Sequence, residues 1–254
     1  TAGAHFGADA IGGAINLVTN IDFQNKISMF GENNSKTIEG NYTNVIDDWQ
    51  INLRSGFHKS KTESVLYGGT DQDGAENKSW GINIVKWFSD HLKFRTNIFS
   101  RNTFADLDGH SLAGQEGYDA NNEMYAFQTG LDYDIKNSKN YITLHTHGYE
   151  RNYSSPLDEL DEYNSDSYVV RAEHSKTMTE KFSYGLGLEH KYDDANFSNR
   201  GTYNSSLSGN YKNTGLFTNF GYQLTNGIST SLNIRTDNNN VVGSNNSYKF
   251  GIFH

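Results

Sequence analysis

The sequence predicts an all-β protein, an antiparallel transmembrane β-barrel, and three observations support that fold class. Apolar and polar residues alternate along several segments, these segments run for about 10 to 14 residues, and the links between them are alternately short and long. Alternation with a period of two indicates a sheet with one apolar and one polar face. A tilted strand needs about 9–11 residues to cross a bilayer, so the segments are long enough to do so.

Twelve strands are expected from this pattern and from the turn residues between the segments. In chain order they cover residues 24–31, 36–45, 49–60, 78–88, 92–104, 123–135, 140–153, 165–177, 181–192, 210–223, 228–237 and 247–254.

Alternation is clearest in the third segment, where Trp49, Ile51 and Leu53 share one face and Gln50 and Asn52 share the other. The polar faces carry Gly, Asn, Arg, Lys and Glu, which suits a wet lumen, so we expect the apolar faces to contact lipid. A soluble β-sandwich would instead bury the apolar face between sheets whose strands are usually about five or six residues long.

Aromatic residues near strand ends are expected to form the girdles that mark the two membrane interfaces. Trp80 and Trp87 in one strand and Tyr222 in another are candidates.

The links have the order expected of an outer-membrane barrel, with short periplasmic turns facing long extracellular loops. The short links are Ile46 to Asp48, Ser89 to His91, Lys136 to Lys139, Met178 to Glu180 and Thr225 to Gly227. The main long links are Lys61 to Asn77, Ala105 to Asn122, Ser154 to Asn164 and Asp193 to Gly209.

Composition excludes several other classes of protein. The 254 residues include 35% hydrophobic residues, a single proline and no cysteine, which rules out disulfides and thiolate chemistry within this sequence. The sequence has no run of about 18 apolar residues, so it predicts no transmembrane helix. The net charge of −9 argues against a nucleic-acid partner, which needs a basic surface.

The stretch FGADAIGGAINLVTN, residues 6–20, has the glycine spacing of a phosphate-binding loop at Gly7 and Gly12. That motif continues with a Lys for the phosphates and a Ser or Thr for Mg²⁺, but Gly13 and Ala14 occupy those positions. The glycine pair therefore predicts a tight turn that leads into a short strand.

The same stretch resembles the end of the plug domain of TonB-dependent outer-membrane receptors. The matching residues are Phe6, Gly7, Ala10, Ile11, Gly12, Gly13, Ile15, Asn16 and Thr19. Near the other end, IRTDNNNVVGSNNSYKFGI is similar to a barrel segment of the cobalamin and siderophore branch of these receptors. There the matching residues are Arg235, Asp237, Asn238, Gly243 and Gly251.

The resemblance implies a fragment, with residues 1–22 as the C-terminal end of the plug domain and residues 23–254 as the N-terminal part of the barrel. In this family a barrel of about 22 strands encloses a plug. About 12 of those strands would be present in this sequence, too few to close a barrel of that size. The family's function implies a transporter in the Gram-negative outer membrane that imports a scarce metal-chelate ligand such as cobalamin or a ferric siderophore. Lipopolysaccharide and TonB would be its partners, and a passive porin is the alternative.

Acidic residues are expected in loops near the extracellular ends of strands. The candidates for a loop Ca²⁺ site are Asp71, Asp73, Asp106, Asp108, Asp158 and Asp161. Oxygen ligands from several loops could bind Ca²⁺, as the resemblance to the cobalamin branch also implies. The simpler alternative is that these carboxylates are solvated and bind no metal. We expect no required cofactor.

A histidine pair and the serines are further candidates for chemistry. His145 and His147 share a strand face and could bind a metal with a third ligand, although such a pair also suits a polar lumen. No G-x-S-x-G motif supplies a nucleophile elbow, so we do not expect an enzyme.

Overall fold

The computed structural model describes residues 25–62, 73–107, 117–155, 160–201 and 204–253. The predicted plug motif, from Phe6 to Asn16, lies outside the described residues, and so do Asp71, Asp108 and Asp158. The plug assignment of residues 1–22 therefore stays a prediction.

The described residues form twelve strands in one antiparallel sheet, in which each strand pairs with its neighbours in sequence. The strands are β1 (Lys26–Glu32), β2 (Ser35–Ile46), β3 (Trp49–Lys61), β4 (Gly74–Trp87), β5 (Leu92–Leu107), β6 (Tyr118–Ile135), β7 (Ser138–Ser154), β8 (Leu160–Thr179), β9 (Phe182–Arg200), β10 (Ser205–Thr225), β11 (Ile228–Asn239) and β12 (Gly243–Phe253). The prediction of an all-β antiparallel sheet with twelve strands is confirmed. No helix in the described ranges is long and apolar enough to cross a membrane.

Short turns lie at one end of the sheet, where they were predicted. In the β2–β3 and β6–β7 turns, Asp47 and Lys136 have positive φ angles of 51° and 49°. Tight two-residue hairpin turns need a left-handed residue of this kind at their first central position. These turns fix the register of each hairpin, and the register decides which residues share a face.

The predicted long links are shorter in the structure, because the strands continue further at the opposite end. Strands β8, β9 and β10 contain 20, 19 and 21 residues, about twice what a bilayer crossing needs. Asp106 therefore lies in β5, Asp161 in β8, and Asp193 and Asp194 in β9. The prediction that these four carboxylates occupy loops is wrong.

One face of the sheet is apolar and exposed, and the other is polar. Ile82 of β4 pairs with Leu53 of β3 and Ile98 of β5 on the apolar face, and Leu216 of β10 is 61% exposed there. Among the described residues only Ala120 and Phe217 are buried hydrophobic side chains. A sheet whose apolar side chains stay uncovered is suited to lipid rather than water. We call the apolar face the outward face and the polar face the lumen face.

Aromatic residues on the outward face form two levels. On β6, Tyr125 and Tyr133 share this face and lie about eight residues apart, which corresponds to about 20 Å along the barrel axis. Trp80 lies on the outward face at the upper level, level with Ser55 and Ser100 in the register. Trp87 differs from Trp80 by an odd number of positions and pairs with the lumen-side Lys93, so the prediction that Trp87 belongs to the girdle is wrong.

Candidate functional site

The lumen face of β8, β9 and β11 carries a connected set of charged side chains, Glu173, Arg171, Glu189, Arg235 and Asp237, which we call the ion-pair chain. Glu189 lies at its centre, with Oε2 3.2 Å from Nη1 of Arg171 and Oε1 2.8 Å from Nη2 of Arg235. At one end Arg171 Nη2 lies 2.9 Å from Glu173 Oε2. Two guanidinium groups and three carboxylates therefore run in an unbroken line across four strands, β8 to β11.

Arg235 has the most enclosed side chain in this set, with 0% exposure. Its Nε atom donates to Asp237 Oδ2 at 2.9 Å, and its Nη2 atom donates to Asp237 Oδ1 at 2.8 Å. This two-pronged geometry is the strongest arrangement between an arginine and a carboxylate. Asp237 also accepts a hydrogen bond of 2.7 Å from Nδ2 of Asn213 on β10.

Neutral side chains extend and order the ion-pair chain. At its β7 end, the hydroxyl of Tyr141 donates a short hydrogen bond to Glu173. Between the two arginines lies Phe217, whose ring centre is 4.6 Å from Cζ of Arg171 and 5.5 Å from Cζ of Arg235. A guanidinium within about 6 Å of a ring centre is attracted by the negative face of the ring, so Phe217 holds both arginines at a fixed separation.

Glycine residues make room for these large groups. A Cβ atom at Gly187 would lie 2.1 Å from the Phe217 ring, and one at Gly215 would lie 2.2 Å from Nη2 of Arg235. Such distances are impossible for real atoms, so only glycine allows these side chains to lie flat against the sheet. The lumen face is therefore comparatively flat around Gly187 and Gly215.

Other polar groups on the lumen face are also paired. Asn52 of β3 donates to Thr43 Oγ1 at 2.7 Å and accepts from Asn83 at 3.2 Å. Further along the sheet, Asp132 lies 3.1 Å from Arg95 and 3.2 Å from Lys93. These contacts join polar groups of neighbouring strands along the wall.

The described calcium candidates do not all converge on one point. Asp106 lies on β5 with an outward position, Asp161 lies on the lumen face of β8, and two strands separate them. Asp161 accepts a short hydrogen bond from Asn199. The backbone oxygen of Asp73 accepts from Thr62 at 2.7 Å.

His145 and His147 lie on the lumen face of β7, as their spacing predicted. No group of three or more His, Asp or Glu side chains suited to a metal is present in residues 25–62, 73–107, 117–155, 160–201 and 204–253.

Near the end of β4 that lies away from the short turns, on the outward face, Glu76 lies 2.6 Å from Lys78 and 3.0 Å from Lys59. Hydrogen bonds from these two ammonium groups lower the pKa of Glu76.

The ion-pair chain was not found from the sequence, apart from Arg235 and Asp237, which entered through the resemblance. Arg171, Glu189 and Arg235 are far apart in the chain, and only the strand register brings them together. The one usable signal was the run of glycines on the polar faces, at positions 185, 187 and 215. Glycine inside a strand often marks a close approach of another group.

Comparison with known proteins gives a result for structure but not for sequence. The sequence matches no protein-family model and no curated protein. The structure is similar to the outer membrane transporter YddB from Escherichia coli, with a TM-score of 0.71 and 12% identity over 86% of this chain and 36% of that chain.

Two receptors for ferric siderophores are also similar. The ferric yersiniabactin uptake receptor FyuA from Yersinia pestis has a TM-score of 0.65 and 9% identity, over 86% of this chain and 41% of that one. A mutant of the ferric enterobactin receptor PfeA from Pseudomonas aeruginosa has a TM-score of 0.67 and 10% identity, over 86% and 38%.

These likenesses concern the fold, because the identities are low. The chain spans about two fifths of the length of the solved proteins that it matches. All three of those proteins are transporters or receptors of the outer membrane type, and none is an enzyme. The chain has the fold of part of a TonB-dependent receptor barrel, as the resemblance of its sequence predicted.

Proposed function

We propose that this chain forms the end of the plug and the N-terminal part of the barrel of a TonB-dependent importer in the outer membrane of a Gram-negative bacterium. Two independent features support the proposal. The fold is that of outer-membrane transporters and receptors, and residues 6–16 match the family's plug motif just before the first strand.

The ion-pair chain is the observation that carries the proposal. In an open aqueous channel the lumen charges would be solvated, whereas Arg235 and Asp237 are fully enclosed among protein groups. Within the described residues, Nη1 of Arg235 is buried and has no hydrogen-bond partner. An unpaired buried donor is costly, so a further protein group that packs on this wall would be stabilising. We propose that this group belongs to the plug.

The chemistry of the ion-pair chain also fits a plug that has to move. Three carboxylates face two guanidinium groups, so a plug group that accepts from Nη1 of Arg235 without adding negative charge, such as a backbone carbonyl, would suit the set. Contacts of this kind are strong in a low-dielectric site but can exchange with water when the plug shifts. The low relief produced by Gly187 and Gly215 lets a second surface approach closely.

A passive porin is the second candidate, because its strands would show the same alternation. A porin would not need a plug motif before the first strand or an enclosed set of charges on its wall. Both candidates would contact lipid and lipopolysaccharide through the outward face.

The ligand class follows the resemblance, and cobalamin and a ferric siderophore are the two proposed ligands. The acidic positions near the extracellular strand ends could add a Ca²⁺ requirement, which the resemblance to the cobalamin branch implies. The alternative is that these carboxylates are simply solvated.

Transport assays with the full-length protein test this function. Cells that produce it are supplied with radiolabelled cobalamin and with ⁵⁵Fe complexes of several siderophores, in strains with and without TonB. We expect saturable uptake of one ligand that disappears without TonB. Uptake that rises linearly with concentration and ignores TonB would establish the porin instead.

Binding measurements in detergent separate the two ligand branches. Tight cobalamin binding that weakens when Ca²⁺ is chelated would connect the acidic residues with the cobalamin branch. Siderophore binding that is indifferent to chelation would leave those carboxylates as solvated charge.

A further inference from the structure

The arginines on the lumen face divide into two groups. Arg95, Arg171 and Arg235 each have a carboxylate within 3.2 Å. By contrast, Arg54 of β3, Arg101 of β5 and Arg151 of β7 have no carboxylate within ion-pair distance in the part of the chain that the structure describes, and the first two lie close together in the register. An arginine that faces the lumen with no carboxylate partner among the described residues can bind an external anion.

Arg54 and Arg101 also line hollows in the lumen wall. One hollow of about 330 Å³ is lined by Arg54, Glu39, Ser79 and Phe99, and a second of about 250 Å³ is lined by Arg101, His58, Glu39 and Phe99. Their shared lining residues, which include Gly56, show that the two hollows adjoin. Together they form one recess on the lumen face of β2 to β5, which we call the arginine recess.

Small residues produce the arginine recess. In the register, Gly81 lies between Arg54 and Phe99, and Ser79 lies between Gly56 and Arg101. A Cβ atom at Gly81 would lie 2.5 Å from Nε of Arg54. The glycine therefore lets Arg54 lie across β4, where its Cζ is 5.7 Å from the centre of the Phe99 ring.

The chemistry of the recess favours an oxygen anion. A guanidinium group held over an aromatic ring loses little freedom when it binds, and its planar fork matches a carboxylate. His58 adds a second polar group, although its Nδ1 atom is engaged with Thr37 Oγ1 at 2.9 Å. Glu39 is the one carboxylate that lines both hollows, and it would disfavour a second anion placed directly beside it.

We propose that the arginine recess binds a carboxylate-type anion through Arg54 and Arg101. The inference rests on the proposed importer and names the chemistry of one of its lumen contacts. The anion has two sources, a carboxylate on the transported ligand and an acidic side chain of the plug. Arg54 lies about five residues from the short-turn end of β3, and Arg101 lies about nine residues from that of β5.

The test uses the full-length protein in detergent and the double variant Arg54→Gln with Arg101→Gln. The control is Arg200→Gln, which removes one of the same charges, from an exposed arginine paired with Glu162. One arm measures the affinity for ferric citrate, a chelate with carboxylates, and for ferrioxamine B, a hydroxamate chelate without them. The other arm follows hydrogen exchange of the plug.

If the ligand supplies the anion, the double variant should lose at least about tenfold in ferric citrate affinity, as expected for a lost charge-assisted contact. Binding of ferrioxamine B and exchange of the plug should not change. If the plug supplies it, affinities should stay the same and plug amides next to an acidic residue should exchange at least about tenfold faster. The single variant Arg54→Lys, which keeps the charge but loses the fork, should give an intermediate effect.

Behaviour of the double variant identical to that of Arg200→Gln in both arms would overturn the inference. Failure of the proposed function would look different, because the wild-type protein would then show no TonB-dependent uptake of any chelate. Intact wild-type uptake with an unaffected double variant would reject the arginine recess alone.

Discussion

The ring of Phe217 on β10 lies directly over the backbone of Gly187 on β9, its partner in the strand register. The space that a side chain at position 187 would need is filled by the ring, whose Cζ atom lies 2.1 Å from the ideal Cβ position. The same ring contacts the guanidinium groups of Arg171 and Arg235. A single cross-strand pair therefore sets the geometry of the ion-pair chain.

Replacing Gly187 with alanine should destabilise the barrel by about 1–3 kcal/mol, because the ring of Phe217 must move and both arginines lose their contact. Gly209→Ala is the control, since a Cβ atom there meets nothing within 4 Å. Urea unfolding of the full-length protein in lipid vesicles measures both. Equal unfolding midpoints for the two variants would contradict the role of this pair.

Glu189→Gln should cost about 3 kcal/mol of folding free energy, because it leaves two enclosed guanidinium groups without their shared carboxylate. Glu162→Gln removes an exposed partner of Arg200 and should cost less than about 1 kcal/mol. The same unfolding measurement compares them. A small effect at Glu189 would mean that water reaches the ion-pair chain freely.

Leu216→Arg should reduce insertion into vesicles by about 2–4 kcal/mol, the cost of a charge on the lipid face near the bilayer midplane. Ser208→Arg places the same charge on the same face of β10, about eight residues further from the short turns, and should change little. Folding free energies in vesicles of known thickness give the comparison. Equal penalties at both positions would move the membrane boundary above residue 208.

Replacing Gly12 and Gly13 with valine in the full receptor should impair plug folding or transport and leave barrel insertion intact, because the tight turn predicted there needs glycine. Ile15→Val is the conservative control. Uptake of labelled ligand and heat-modifiable gel mobility report the two properties separately. Normal uptake by the double valine variant would count against the plug assignment.

The strands were predictable where one face meets lipid, because that contact imposes strict alternation. Beyond the membrane both faces become polar, as at the consecutive residues Asp193 and Asp194 of β9, which lie on opposite faces of the sheet. Alternation is lost there, so these residues read as loops although backbone pairing continues. The alternation of apolar and polar residues therefore indicates contact of one face with lipid and does not indicate backbone pairing between strands.

The candidate site was less predictable for a different reason. Glu189 and Arg235 contact each other across 46 positions, and no local pattern encodes a contact of that range. Their meeting depends on the turns that set the register of β9, β10 and β11. The arginine recess depends in the same way on the register that places Gly81 between Arg54 and Phe99.

The unequal strand lengths give the rim of the sheet an uneven height. The hairpin of β1 and β2 ends close to the upper aromatic level, whereas β8, β9 and β10 continue well past it. On a living cell that raised sector would be the first part of this chain to meet antibodies, phages and surface proteases. These 254 residues contain no cysteine, so Ser208→Cys would introduce a thiol at a defined position in this sector. Labelling of that thiol from outside the cell would measure how far the sector stands above the cell surface.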